Sequence, residues 1–176
     1  MNNAGLTRDA MIHKMTDIQW DSCVAINLKG PFNCIRAASK YMMQEGHVGR
    51  IVNIASIAGL MGNIGQVNYS AAKAGIIGLT KAVAKDWSRW GVTCNAVAYG
   101  GVDTRLTGDK ETSEEIMGEK VGVPKKLRGM ALAQMEQQGI RYMTPEEAAK
   151  PVLFLVSDEG AFITGHAMNV SWGLYI

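Results

Sequence analysis

The chain is poor in most residues that advertise a function at first sight. Its three cysteines, Cys23, Cys34 and Cys94, are scattered without CxxC spacing. Such a sparse, odd count argues against a disulfide framework and fits a reducing cytoplasm, where thiols serve as small buried hydrophobes. The three histidines, His13, His47 and His166, lie far apart, so no metal site is expected. Excess charge is also scarce. The formal net charge is +2, and Lys125, Lys126 and Arg128 form the one basic cluster, which reads as a solvated turn. Neither nucleic acid nor an anionic membrane is therefore an expected partner. The opening "MNNAGLTRDA" lacks the apolar centre of a signal peptide, and no apolar run approaches membrane-spanning length. Repeats and low-complexity segments are absent.

What is present is an ordinary globular composition. Of 176 residues, 47% are hydrophobic and 19% charged, enough for a buried core and, by length, one domain over residues 1–176. "TDIQWDSCVAINLKGPFNCIRAASKYMMQEG" opens on a Thr16–Asp17 cap signal and ends at Gly46. It predicts one long helix over about 17–44, disturbed by Pro31, which removes a helical donor. "RIVNIAS" (50–56) predicts a buried strand. A second long helix is predicted over about 68–90, stopped at Gly91, and "VTCNAVAYGG" predicts another buried strand. The stretch 104–143 is polar and broken by glycines, and predicts one or two helices on a mobile excursion, a candidate lid. "TPEEAAKPVLFLVSD" begins with a helix-start signal, and "HAMNVSWG" predicts a last strand. Strands alternating with helices imply right-handed crossovers and a parallel sheet.

One short stretch, "NYSAAKAG", sets Tyr69 and Lys73 four residues apart, on one helical face. A nearby ammonium and the positive end of the helix would both favour the phenolate and lower the tyrosine pKa. The pair then reads as a general acid/base; the plainer reading is a tyrosine packed on a lysine stem. Ser56, 13 residues before Tyr69, stands at the end of the "RIVNIAS" strand, where ligand sites of parallel sheets form. It is either a strand-end turn residue or a hydroxyl converging with the phenol on one carbonyl oxygen. Asn27 inside the first long helix is mildly unfavourable there, so it faces solvent or has a task.

Taken in order, "NNAG" (2–5), the Asn27 of "INLKG", "IVNIAS" (51–56), "YSAAK" (69–73), "NAVAYGGVDT" (95–104) and "ITGHAMNVSWG" (163–173) resemble the short-chain dehydrogenase/reductase family, and within it the 3-oxoacyl-carrier-protein reductase branch. The resemblance spans essentially every residue. It implies the C-terminal part of a doubly wound Rossmann-like α/β sheet, about three strands with flanking helices. It implies NAD(P) as cofactor and a carbonyl substrate of 3-oxoacyl type. It implies that Tyr69 exchanges a proton with the carbonyl, that Lys73 lowers the Tyr69 pKa and holds the nicotinamide ribose, and that Ser56 orients the carbonyl. Asn27 would hold a water relaying protons to Lys73. Asn3, Ala4 and Gly5 would line the cofactor beside Tyr69 and Lys73, with Gly100, Val102 and Thr104 on its nicotinamide side. It implies a homo-oligomer built through the helices at about 17–44 and 68–90.

Two features depart from the family pattern. The glycine-rich GxGxxG turn that cradles the dinucleotide is missing; the nearest cluster, "GLMGNIG" (59–65), has other spacing and follows Ser56. The chain is expected to begin where the family's fourth strand closes, leaving the strand at about 50–54 as an open edge and NAD(P)H affinity negligible for the chain alone. Tyr99 stands where the family has proline, and "SWG" (171–173) where it has "DGG"; Trp172 is expected to fill core or interface space. Two rival readings stay open. One is a cofactor-free hydrolase with Ser56 as nucleophile and Tyr69 and Lys73 as base. The other is an inactive interaction module built on the long helices.

Overall fold

The computed structural model describes residues 1–174. Three parallel strands form the sheet: β1 (Arg50–Ser56), β2 (Thr93–Tyr99) and β5 (Ala167–Val170), in the order β1-β2-β5. Arg50 pairs with Thr93 and Ser56 with Tyr99 across β1 and β2, and Ala96 pairs with Ala167 across β2 and β5. Every residue of β2 is buried, as a parallel strand covered on both faces requires. Its side chains divide by face. Val97 and Tyr99 pack with Val52 against Leu155 of α6 (Pro145–Val156). Ala96 and Ala98 pack with Ala55 against Ile76 of α4 (Val67–Trp87). Alanines on that face let α4 lie close to the strands, and that closeness positions the site. The α/β class and parallel sheet expected from the sequence are what the structure has.

The first long helix is continuous from Asp17 to Met42 but not uniform. It comprises α1 (Asp17–Val24), a π turn (Ala25–Lys29) and α2 (Gly30–Met42). Pro31 cannot donate to a carbonyl one turn back, and the ladder shifts just before it, with the Gly30 N–H bonding Ala25 O. Its start is a capping box between Thr16 and Gln19, and α6 starts with another between Thr144 and Glu147. The α4 helix passes into a 3₁₀ turn (Ser88–Trp90) and stops on Gly91 in left-handed conformation.

The excursion at 104–143 holds one helix, α5 (Lys125–Gln137), and an unforeseen hairpin of β3 (Glu115–Ile116) and β4 (Glu119–Lys120). Its two-residue turn places Met117 at φ 53° and Gly118 at φ 79°. A short helix α3 (Ala58–Met61) between β1 and α4 was also not foreseen. The open edge of β1 is partly covered. Asn2 pairs in parallel with Asn53, donating its N–H to Val52 O and accepting from the Ile54 N–H. Tyr99, in place of the family's proline, donates its hydroxyl to Ala148 O and so ties the end of β2 to α6. Trp172 is not in the core: it is 65% exposed, at φ 55°.

Candidate active site

The candidate site forms where β1 ends and α4 begins. Ser56 is the last residue of β1, and its Oγ accepts the Ala58 N–H at 3.2 Å, turning the chain into α3. Gly59 then brings α3 against α4 with no room to spare. A methyl group at Gly59 would lie 2.5 Å from the Lys73 carbonyl carbon and 2.7 Å from the Ala74 nitrogen. The glycines of "GLMGNIG" therefore serve packing and turns, with Gly62 and Gly65 at positive φ, and form no phosphate cradle. Gly59→Ala is expected to lower stability by about 1–3 kcal/mol in urea melts, because backbone on both sides must move apart.

Tyr69 and Lys73 occupy the first turns of α4, both buried. The Lys73 Nζ lies 5.5 Å from the centre of the Tyr69 ring and donates to Ile54 O at 2.7 Å. That carbonyl is free for a reason. A continued parallel ladder past Asn2 would offer it the Ala4 N–H, but the chain leaves β1 there and Lys73 takes the acceptor. The phenol packs on Leu6, Cys23 and Ala58. Asn68, fully buried, accepts the Tyr69 N–H at 2.7 Å and donates to the carbonyls of Arg8 (2.9 Å) and Gln19 (3.0 Å).

The protonation of the pair differs from the expectation that Lys73 lowers the Tyr69 pKa. Burial pushes the Tyr69 phenol up to about 12, with hydrogen bonding from Ser56 acting the other way. Burial also brings Lys73 down to about 8. Desolvation penalises the charged form of both groups and is the largest cause of each shift. The phenol thus rests protonated, the form a proton donor needs, and the lysine is the member that titrates near neutrality.

Of the two expectations for Asn27, exposure to solvent is not met: the residue is fully buried. It lies in the π turn, its Nδ2 donating to Leu6 O at 2.8 Å and Cys23 O at 2.9 Å, while its Oδ1 is buried without a partner. Gly5 faces that oxygen: a Cβ there would lie 2.9 Å from Asn27 Oδ1 and 3.7 Å from Lys73 Nζ. The structure therefore gathers Gly5, Asn27, Ser56, Tyr69 and Lys73, with Asn3 and Ala4 exposed on the same segment. The remaining three are at the same end of the sheet but hydrogen-bonded elsewhere. Gly100 N–H donates to Val170 O, Val102 bridges Met143, and Thr104 N–H donates to Thr107 Oγ1. Of the excursion's apolar residues, Leu132 and Met135 line a cleft of about 460 Å³ with Tyr142 and Trp172, whereas Met117 and Met130 are exposed. Sequence reasoning gave no role to Asn68 or Arg8, though both stand inside the quoted stretches "NYSAAKAG" and "MNNAGLTRDA". Among the described residues no group of His, Cys, Asp and Glu could hold a metal, and no helix is long and apolar enough to cross a membrane.

The parallel sheet with helices on both faces is a Rossmann-like α/β fold, with a hydroxyl, a phenol and an ammonium at the C-terminal end of one strand. The chain belongs to the short chain dehydrogenase family, whose model matches residues 1–115. It is 40% identical over its full 176 residues to a 3-oxoacyl-[acyl-carrier-protein] reductase FabG of Thermotoga maritima, covering 65% of that protein. It is 43% identical over 175 residues to an acetoacetyl-CoA reductase of Rhizobium meliloti, covering 99% of this chain and 66% of the relative. A (3R)-3-hydroxyacyl-CoA dehydrogenase of Canis lupus familiaris is 38% identical over 173 residues, 98% of this chain and 61% of its own length. The chain thus spans a little under two thirds of the curated relatives it matches.

Proposed function

We propose that the chain carries the proton-transfer site of an NAD(P)-dependent oxidoreductase that reduces the carbonyl of a 3-oxoacyl thioester. The observation that carries this reading is the convergence of Ser56, Tyr69 and Lys73 where β1 meets α4. Tyr69, buried and protonated, donates its hydroxyl proton to the carbonyl oxygen as that oxygen gains charge. Ser56 offers a hydroxyl to the same oxygen and to the phenol. Lys73, as ammonium below pH about 8, stabilises the phenolate left behind. Asn27 Oδ1, unpartnered, and Lys73 Nζ both lie beside Gly5, which supports a water held between them through which the proton is restored.

The residues present fit the nicotinamide half of the cofactor. Exposed backbone at Asn3, Ala4 and Gly5 adjoins the orphaned Asn27 oxygen and Lys73, while Gly100, Val102 and Thr104 line the loop after β2. NAD(P)H supplies the hydride when bound. No glycine-rich turn in the 176 residues serves the pyrophosphate. NADPH is accordingly expected to bind this chain with a Kd above about 1 mM. Calorimetric titration checks this, and a micromolar Kd would contradict it.

The acyl-thioester class rests on the names of the relatives and on the apolar lining of the excursion's cleft. The hydrolase reading is weakened because both members of its base rest protonated below pH about 8: the Tyr69 phenol is raised by burial to about 12, and the Lys73 ammonium donates to Ile54 O. The chain is read as one Rossmann-like domain over residues 1–176, and as a homo-oligomer through the two long helices. Ile18, Trp20 and Phe32 are exposed on the first, and Gly78 on α4 has open space above it. Light scattering is expected to give a dimer or larger, dispersed by Phe32→Glu; a monomer before substitution would refute the interface. Reduction of acetoacetyl-CoA, followed by NADPH absorbance, tests the function itself.

A further inference from the structure

Arg8 is a buried cation with no part in the proposed chemistry. It is 3% exposed. Its Nη1 donates to Thr7 O at 3.0 Å and its Nη2 to Ile116 O at 2.5 Å, and its Nε lies 3.6 Å from the Glu119 carboxylate. Ile116 and Glu119 belong to the two strands of the hairpin in the excursion. The backbone of the same residue faces the other way. Arg8 O accepts from Asn68 Nδ2 at 2.9 Å, and Asn68 Oδ1 accepts the Tyr69 N–H at 2.7 Å. Flanking contacts repeat the pattern. Leu6 packs on Tyr69, and Asp9 accepts from Gln66, the residue that precedes α4, while feeling the charge of Lys110 in the excursion.

We propose that Arg8 is a positioning residue: it latches the β3–β4 hairpin onto the segment beside the site, and through Asn68 it holds the first turn of α4 and Tyr69 in place. A guanidinium taken out of water loses hydration worth several kcal/mol, which only close partners offset. Here the carboxylate and one of the two carbonyl acceptors come from the hairpin. With the hairpin docked Arg8 is paired; with the hairpin raised it must rehydrate, and the segment carrying Leu6 and the Arg8 carbonyl moves with it. The near balance of desolvation and pairing makes docking reversible rather than permanent. The meaning of Tyr69 as proton donor rests on the reading above, whereas the latch itself does not.

The test uses the full chain and needs no turnover. Hydrogen exchange of residues 105–124 reports the hairpin, and nitration of Tyr69 by tetranitromethane, read by mass spectrometry, reports the site. Tyr41, 63% exposed, and Tyr99, buried in the sheet core, are internal controls. In Arg8→Ala and Glu119→Gln, hairpin exchange and Tyr69 nitration are both expected to rise about tenfold or more, with Tyr41 and Tyr99 unchanged. Faster exchange without faster Tyr69 nitration would overturn the coupling, and no change in either would overturn the latch. If Tyr99 becomes reactive in Arg8→Ala, that variant has opened globally, and Glu119→Gln, altered only at the half-exposed end of the pair, decides on the same criteria. Failure here leaves the proposed reaction standing, and a failed reaction leaves the latch standing.

Discussion

Tyr69→Phe is expected to lower kcat/KM for reduction of a 3-oxoacyl thioester by about 10²–10⁴-fold, the range for loss of a positioned general acid. The substitution removes one oxygen and keeps the ring that packs on Leu6, Cys23 and Ala58. Stability should change by no more than about 1 kcal/mol, the net worth of a single hydrogen bond. That separation of effects is diagnostic. A tyrosine whose purpose is packing would lose little activity when its ring is retained. A tyrosine that donates the proton loses the reaction and keeps the fold. Comparing the two chains by NADPH oxidation and by urea unfolding checks both halves, and activity retained within a few-fold would assign Tyr69 to the core alone.

Lys73→Met is expected to go in opposite directions for activity and stability. Activity falls because the phenolate loses its stabilising cation. Stability rises because a buried ammonium is held against its preference. Its pKa is lowered from 10.5 to about 8, so below pH 8 both folded and unfolded chains carry the proton and the folded chain bears the full desolvation cost. Between about 8 and 10.5 the unfolded chain binds more protons than the folded one, and the Lys73 contribution makes stability rise with pH across that window. Replacing the lysine removes the cost but leaves Ile54 O without its donor. A net gain of about 2 kcal/mol at neutral pH follows, shrinking as pH approaches 10.5. Cys23 and Cys94, raised by burial to about 11 and about 12, make stability fall as pH rises above 9.0, but they do so in both chains and largely cancel in the difference. Urea melts of the two chains at neutral and alkaline pH measure it. A variant less stable at neutral pH would show that Lys73 is a net structural bond.

Local signals in the sequence located most of the frame. Thr144, Pro145 and Glu147 announce α6 because a capping box needs only neighbours. The apolar run at 50–56 and the Tyr69–Lys73 spacing were readable for the same reason. What was hidden depended on partners distant in the chain. The hairpin turn of Met117 and Gly118 lacks the Asn-Gly or Asp-Gly signature that would reveal it. The π turn follows from Pro31, yet the proline alone predicts a disturbance without its form. Arg8 meets Ile116 across 108 residues and Asn68 meets Arg8 across 60, separations at which no periodicity speaks. The Tyr69 shift runs upward rather than in the expected downward direction because pairing is visible in a motif, whereas burial is a property of the whole fold.

The proposed reaction is tested most directly by incubating the chain with acetoacetyl-CoA at millimolar NADPH and quantifying the 3-hydroxyacyl thioester by mass spectrometry. The proposed site predicts one molecule of product per NADPH oxidised, and its loss in Tyr69→Phe. No product above buffer, or equal product from both chains, would contradict it.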